Sequence, residues 1–187
     1  MKRLFLLLVM AGSFAAASAQ INYGVKGGLN VANIGGEDVD DNKAKLGFHL
    51  GGFIGVSVAE NFSIQPEVVF SLQGVKFDDD QKLNLSYLNI PVLARYTTQS
   101  GFYGETGPQL GFLLSAKSKI EGDSENVKDW FKKTDFSWAF GVGYITQSNI
   151  GVNARFNLGL SKLDEDGHGK AFNRVFQVGL FYVLGNK

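Results

Sequence analysis

The chain has 187 residues, no cysteine, and 18 basic against 18 acidic side chains, for a formal net charge of zero. Disulfides and thiolate metal sites are thereby excluded, and there is no bulk positive charge to attract nucleic acid. Glycine is abundant at 24 residues and proline scarce at 3, a composition that suits a sheet able to bend and close.

Lys2 and Arg3 precede a compact apolar run from Leu4 to Met10, and small residues then lead to Ala17-Ser18-Ala19 before Gln20. That is the layout of a secretory signal peptide ending in an A-x-A site, so residues 1–19 are expected to be removed and residues 20–187 to form one domain. Gln20 leaves no cysteine for lipid attachment at the cleavage point. Beyond it, no stretch approaches the ~18 consecutive apolar residues of a transmembrane helix. Any crossing of a membrane falls to strands.

From Tyr23 onward the hydrophobic pattern has period two. Eight segments carry it, near 23–33, 46–58, 62–76, 83–97, 102–116, 135–146, 150–162 and 171–184. The clearest is Ile150–Ser161, where Ile150, Val152, Ala154, Phe156, Leu158 and Leu160 share one face and Asn153, Arg155 and Asn157 the other. In the fourth segment the apolar positions change from odd (Leu83, Leu85, Tyr87) to even (Leu88, Ile90, Val92), which predicts a β-bulge near Tyr87–Asn89. Pro66, Pro91 and Pro108 must sit at bulges or unpaired positions. Three connections are short (59–61, 98–101, 147–149), and four are longer and polar (34–45, 77–82, 117–134, 163–170). Within the third long one, Ser124–Lys133 reads as a helix capped by Ser124. Short turns alternating with long loops predict an all-β, eight-stranded, antiparallel up-and-down transmembrane barrel, with periplasmic termini, extracellular loops and a monomeric state.

The polar face is mostly Gly, Ser, Asn, Gln and Ala rather than Lys and Glu, which favours a membrane barrel over a soluble ligand-binding one. Tyr23, Phe62, Tyr96, Phe102, Tyr144 and Tyr182 all have apolar parity close to the predicted periplasmic strand ends, forming an interfacial girdle. Phe48, Phe136, Trp138 and Phe172 form a looser belt at the other end. Five charged residues have interior parity: Lys26, Glu67, Arg95, Glu105 and Arg155. In strand order their signs alternate, so they are expected to pair across the lumen, assisted by Gln65, Gln109, Asn153 and Gln177. Such a layer would plug an eight-stranded barrel. Arg174 has apolar parity near the loop end, where it is expected to snorkel.

The strand Leu88-Asn89-Ile90-Pro91-Val92-Leu93, followed by the Y-x-x-x-G-P-x-L-G pattern of Tyr103, Gly107, Pro108, Leu110 and Gly111, resembles the PorT-like outer-membrane β-barrel (porin-family) proteins. The INYGVKGGLNVANI stretch at the mature start fits the same family. The resemblance implies an outer-membrane barrel; a role in a protein secretion apparatus is an alternative it raises. The Gly185-Asn186-Lys187 ending departs from the terminal aromatic common in such barrels.

Catalytic chemistry is weakly represented. His49 on the second strand and His168 in the last loop come with no serine and carboxylate at an informative spacing, so a lipid A-modifying enzyme is the lesser alternative. The acidic runs 37–42 and 78–80 could offer oxygen ligands to Ca²⁺ but lack an EF-hand pattern, and solvated loop acids are the simpler reading. No cofactor, metal or catalytic residue is predicted. Trp130 and Phe131 stand out in a polar loop, either capping the mouth or contacting a surface or protein partner. The reading is thus a plugged barrel with a structural or surface-interaction role, in contact with outer-membrane lipid and lipopolysaccharide.

Overall fold

The structure is a computed structural model that describes residues 20–36, 43–77, 81–120, 123–163 and 171–186. Eight long antiparallel strands close on themselves: β1 (Ile21–Gly35), β2 (Lys43–Ala59), β3 (Phe62–Lys76), β4 (Gln81–Thr97), β5 (Phe102–Ile120), β7 (Thr134–Ile145), β8 (Ile150–Gly159) and β9 (Phe172–Asn186). Each pairs with its neighbours in sequence, and β1 pairs with β9 to complete the ring. A short ninth strand, β6 (Asp123–Asn126), extends the far end of β5. No helix among the described residues is long and apolar enough to cross a membrane.

The sheet is apolar outside and largely polar within. Leu46, Leu50, Val142 and Leu180 are more than three-fifths exposed, whereas Lys26, Glu67, Glu105 and Arg155 are buried. Water on both sides could not sustain that arrangement, since it leaves a continuous apolar belt uncovered. The lumen is narrow enough for side chains to fill it, and glycines make the room. Three inward aromatic rings each face a glycine on the adjacent strand: Phe53 faces Gly24, Tyr103 faces Gly143 and Phe181 faces Gly151. A Cβ at any of these glycines would run into the ring it faces. With Val183, the three rings form an apolar layer at the end carrying the termini.

A second apolar layer closes the opposite end. Ile34, Val75, Leu83, Leu85, Tyr87, Leu113, Ala116, Val127 and Leu163 cluster inside the barrel, with Phe131 packed against them. This corrects the expectation for β4, whose odd residues face inward along most of its length, from Leu83 to Leu93. The apparent phase change reflects a change in what the lumen contains, from polar to apolar, as the strand rises. A register shift does occur at Ser86/Tyr87, but the additional residue is Leu114 on β5. There the inward positions move from Leu113 to Ala116.

The prolines occupy interrupted pairings. Pro66 pairs only with β4, Pro91 only with β5 and Pro108 only with β7, so each missing N–H falls on a side without a ladder partner. The segment Ser124–Lys133 is not a helix. Residues 123–126 satisfy their backbone on the free edge of β5, leaving a single 3-10 turn at Lys128–Trp130. The backbone N–H of Lys128 donates to Asn126 Oδ1 at 3.1 Å, and Ser124 caps nothing.

Two of the short turns share their first three residues, Thr98-Gln99-Ser100-Gly101 and Thr146-Gln147-Ser148-Asn149. In each, the fourth residue donates its N–H to the threonine carbonyl, and the threonine hydroxyl donates to the carbonyl that opens the next strand. The fourth residue has positive φ, 93° at Gly101 and 64° at Asn149, which only Gly and Asn adopt readily. A Cβ at Gly101 would also press on the carbonyl oxygen of Ile145. Gly101→Ala is expected to cost about 1–2 kcal/mol, measured by urea unfolding in lipid vesicles, while Asn149→Gly stays within about 0.5 kcal/mol of wild type.

Candidate functional site: the lumen network

The five charged residues of interior parity come from β1, β3, β4, β5 and β8, and the closed ring brings them into one connected layer. Arg155 is its hub. From β8 its guanidinium crosses the lumen to β3, donating Nη1 to Glu67 Oε2 and Nη2 to Glu67 Oε1, both at 2.8 Å. The same group donates Nε to Glu105 Oε1 on β5 at 2.9 Å and Nη2 to the same oxygen at 2.5 Å. The planar fork of arginine suits it to hold two carboxylates at once. Lys26 Nζ adds bonds to Glu67 Oε2 at 3.0 Å and Oε1 at 3.2 Å. Arg95 donates to Glu105 Oε2 through Nε at 3.1 Å and Nη2 at 2.7 Å.

Arg95 is the outermost member. Its guanidinium lies 4.0 Å from the centre of the Tyr103 ring and 5.6 Å from that of Phe181, so the terminal aromatic layer covers the network directly. Of the four polar residues expected to assist, only Gln65 bonds the charged group, donating to Glu67 Oε1 at 2.7 Å. Gln109 instead donates to Ser137, while Gln177 joins a separate network. Asn153 Oδ1 has no hydrogen-bond partner.

That separate network lies one layer further from the termini; His49 and Gln177 are lumen hydrogen-bonding residues by parity, but their convergence on Asn30 follows only from the register. Asn30 is its centre, donating Nδ2 to Ser71 Oγ at 2.9 Å and to the carbonyls of Phe48 and Leu72. Asn30 Oδ1 accepts from Gln177 Nε2 at 3.0 Å and from His49 Nδ1 at 2.8 Å. Gln73 donates to Ser71, Asn173 to Gln73 and Asn157 to Gln177, which carries the chain across the lumen. The sequence signal for it is interior parity at neutral side chains, Asn30, Ser71, Gln73, Asn157 and Asn173.

His49 is therefore oriented by an amide. Its Nε2 is buried without a partner, next to Gly28 and Gly179, whose missing side chains leave the ring its space. His168 and both acidic runs lie outside the described residues. Among the described residues no group of three or more His, Asp or Glu could hold a metal ion.

On the outer wall, Tyr23, Phe62, Tyr96, Phe102 and Tyr182 are exposed and Tyr144 is half-buried, all at the end carrying the termini. Phe102 and Tyr144 stack with centroids 4.9 Å apart. Phe48, Phe136 and Trp138 are exposed nearer the other end, while Phe172 is half-buried. Arg174 points outward, its guanidinium laid across Gly35. Two grooves of about 560 and 670 Å³ meet over Gly104 on the outer wall, between Tyr96, Val142 and Ala154. The pair at the third loop divides: Phe131 packs onto the inner apolar cluster, while Trp130 is 68% exposed.

Removing one partner from a buried ion pair strands the others without solvent, at a cost of about 3–5 kcal/mol. Glu67→Ala leaves Lys26 unpaired and Arg155 with half its bonds, so it should destabilise the folded barrel by that amount in vesicle unfolding experiments. In a double-mutant cycle, Glu67→Ala with Arg155→Ala should couple by more than about 1 kcal/mol. Additive losses would show that the two side chains do not interact across the lumen.

Comparison with known proteins agrees with this architecture. No curated protein sequence matches the chain. Among solved structures, Neisserial surface protein A superposes with a TM-score of 0.61 at 13% identity, over 86% of this chain and 96% of that one. Ail, the attachment invasion locus protein of Yersinia pestis, superposes with a TM-score of 0.52 at 16% identity, over 89% of this chain and 99% of its own. At such identities the likeness is one of fold. Residues 13–165 match the family described as outer membrane protein beta-barrel domain, and with most of its length inside that match the chain belongs to this family of outer-membrane β-barrels.

Proposed function

We propose that this protein is a non-conducting, non-catalytic outer-membrane barrel whose role is structural or one of surface interaction. The observation that carries the reading is the bridge from Arg155 to both Glu67 and Glu105, which spans the lumen between two apolar layers. A permeating ion would have to break several charge-assisted hydrogen bonds in a medium of low dielectric constant and then displace Phe53, Tyr103 and Phe181. Water-filled porins use 16–18 strands, whereas eight enclose an interior that side chains can fill.

In this reading residues 1–19 are a cleaved signal peptide, the barrel is a monomer, its termini are periplasmic and its long loops face the outside. The six girdle residues then sit at the inner interface, where amphipathic rings are favoured. Exposed Trp130 is offered to an external surface or partner. The L-N-I-P-V-L and Y-x-x-x-G-P-x-L-G strands keep the PorT-like assignment as the finer family reading.

Purified, folded protein in planar bilayers should give no long-lived conductance above the lipid background. A stable channel from the wild-type protein would overturn the proposal. Labelling of intact cells by a membrane-impermeant reagent should reach a cysteine placed at Ser124 and not one placed at Ser100; the reverse pattern would invert the assigned orientation.

A further inference from the structure

The rim at the loop-bearing end carries a feature that the lumen does not explain. Lys43 of β2 is the register partner of Lys76 on β3; Lys76 is also the partner of Lys82 on β4, and Lys82 of Lys119 on β5. Four lysines thus stand side by side on four adjacent strands. Lys82 and Lys119 share the outer face with Lys76, and Lys117 lies two residues from Lys119 on that face. Below them the outer wall is apolar, with Leu46, Phe48, Leu110, Phe112 and Leu114 exposed.

Like charges placed directly opposite one another across strands are destabilising. A run of four accumulates that penalty, in a chain whose overall charge is zero. Among the described residues no carboxylate makes an ion pair with any of them; the ion pairs there are all in the lumen. Among the described residues, Asp123 and Glu125 of β6 stand opposite Ile120 and Ser118 rather than a lysine. A polyanion laid along the row removes the repulsion. At a strand spacing of about 4.8 Å the row is ~15 Å long, room for more than one phosphate. Its position beyond the apolar wall is the height of lipid headgroups.

We propose that Lys43, Lys76, Lys82 and Lys119 form a binding row for the phosphates of a glycolipid headgroup carrying two or more of them, in the leaflet that surrounds the loop-bearing end. This rests on the reading of the chain as an outer-membrane barrel with that end outward, and names a lipid contact for it.

The test uses the full-length mature protein, folded in phosphatidylcholine nanodiscs and titrated with diphosphoryl lipid A or its dephosphorylated form. Lys76→Gln/Lys82→Gln/Lys119→Gln is compared with Lys128→Gln/Lys133→Gln, which removes rim charge outside the row. Wild type should prefer the diphosphoryl lipid at least tenfold, and the triple variant should lose about a hundredfold in affinity. The comparison variant should stay within about threefold of wild type. Equal binding of the dephosphorylated lipid, or a triple variant that binds as well as wild type, would overturn the proposal. Displacement by millimolar inorganic phosphate would also overturn it, by making free phosphate the ligand. Heat-modifiable gel mobility reports folding of every variant. Failure of the wild type to insert would defeat the barrel reading as well; insertion with phosphate-independent binding defeats this inference alone.

Discussion

Arg155 sets the terms for the rest of the molecule. An arginine buried in a narrow lumen must have carboxylates within reach, and two supply them: Glu67 from β3, opposite β8 in the ring, and Glu105 from β5, two strands away. Those carboxylates in turn hold Lys26 and Arg95. The five residues lie on strands far apart in sequence, so the layer can form only when the ring has closed and its registers are correct. A slip of one residue in β8 would turn Arg155 to the lipid side. The network therefore selects one register as well as stabilising it.

Towards either end of the barrel the lumen is filled by apolar side chains, in different ways. At the terminal end, three aromatic rings lie over three glycines, a size complementarity written into the pairing of neighbouring strands. At the loop end, aliphatic side chains converge with Tyr87 and are covered by Phe131. Between them, neutral amides extend from Asn173 to Asn157 by way of Asn30. The charged layer pairs all of its members, whereas the amide layer leaves His49 Nε2, Asn157 Oδ1 and Asn173 Oδ1 without partners. The stacking explains why interior parity along one strand can pass from Glu to Ser to Val without any change of direction, as β3 does at Glu67, Ser71 and Val75.

Much of this was legible in the amino-acid order because the side-chain period of a strand is two. Ile150–Ser161 alone separates lipid face from lumen, and the five interior charges follow from the same parity. What parity cannot supply is the chemistry of the inner face at a given height. Leu83, Leu85 and Tyr87 read as outward because they are apolar, yet they face a lumen that is itself apolar there. Nor can it supply register, which determines that Gln65 reaches Glu67 while Gln109 and Gln177 bond elsewhere. The third loop misled for a related reason: its helical composition competes with an open strand edge, and residues 123–126 take the edge.

The inner cluster around Leu85 and Tyr87 has a mechanical corollary. It sits where the strands rise past the apolar outer wall, so the crown of the barrel has a hydrophobic nucleus of its own and does not depend on surrounding lipid to hold its outline. That end of the barrel is a stiff collar held by side-chain packing within the lumen. Exchange of outward-facing residues on that collar therefore leaves the packing that shapes it untouched.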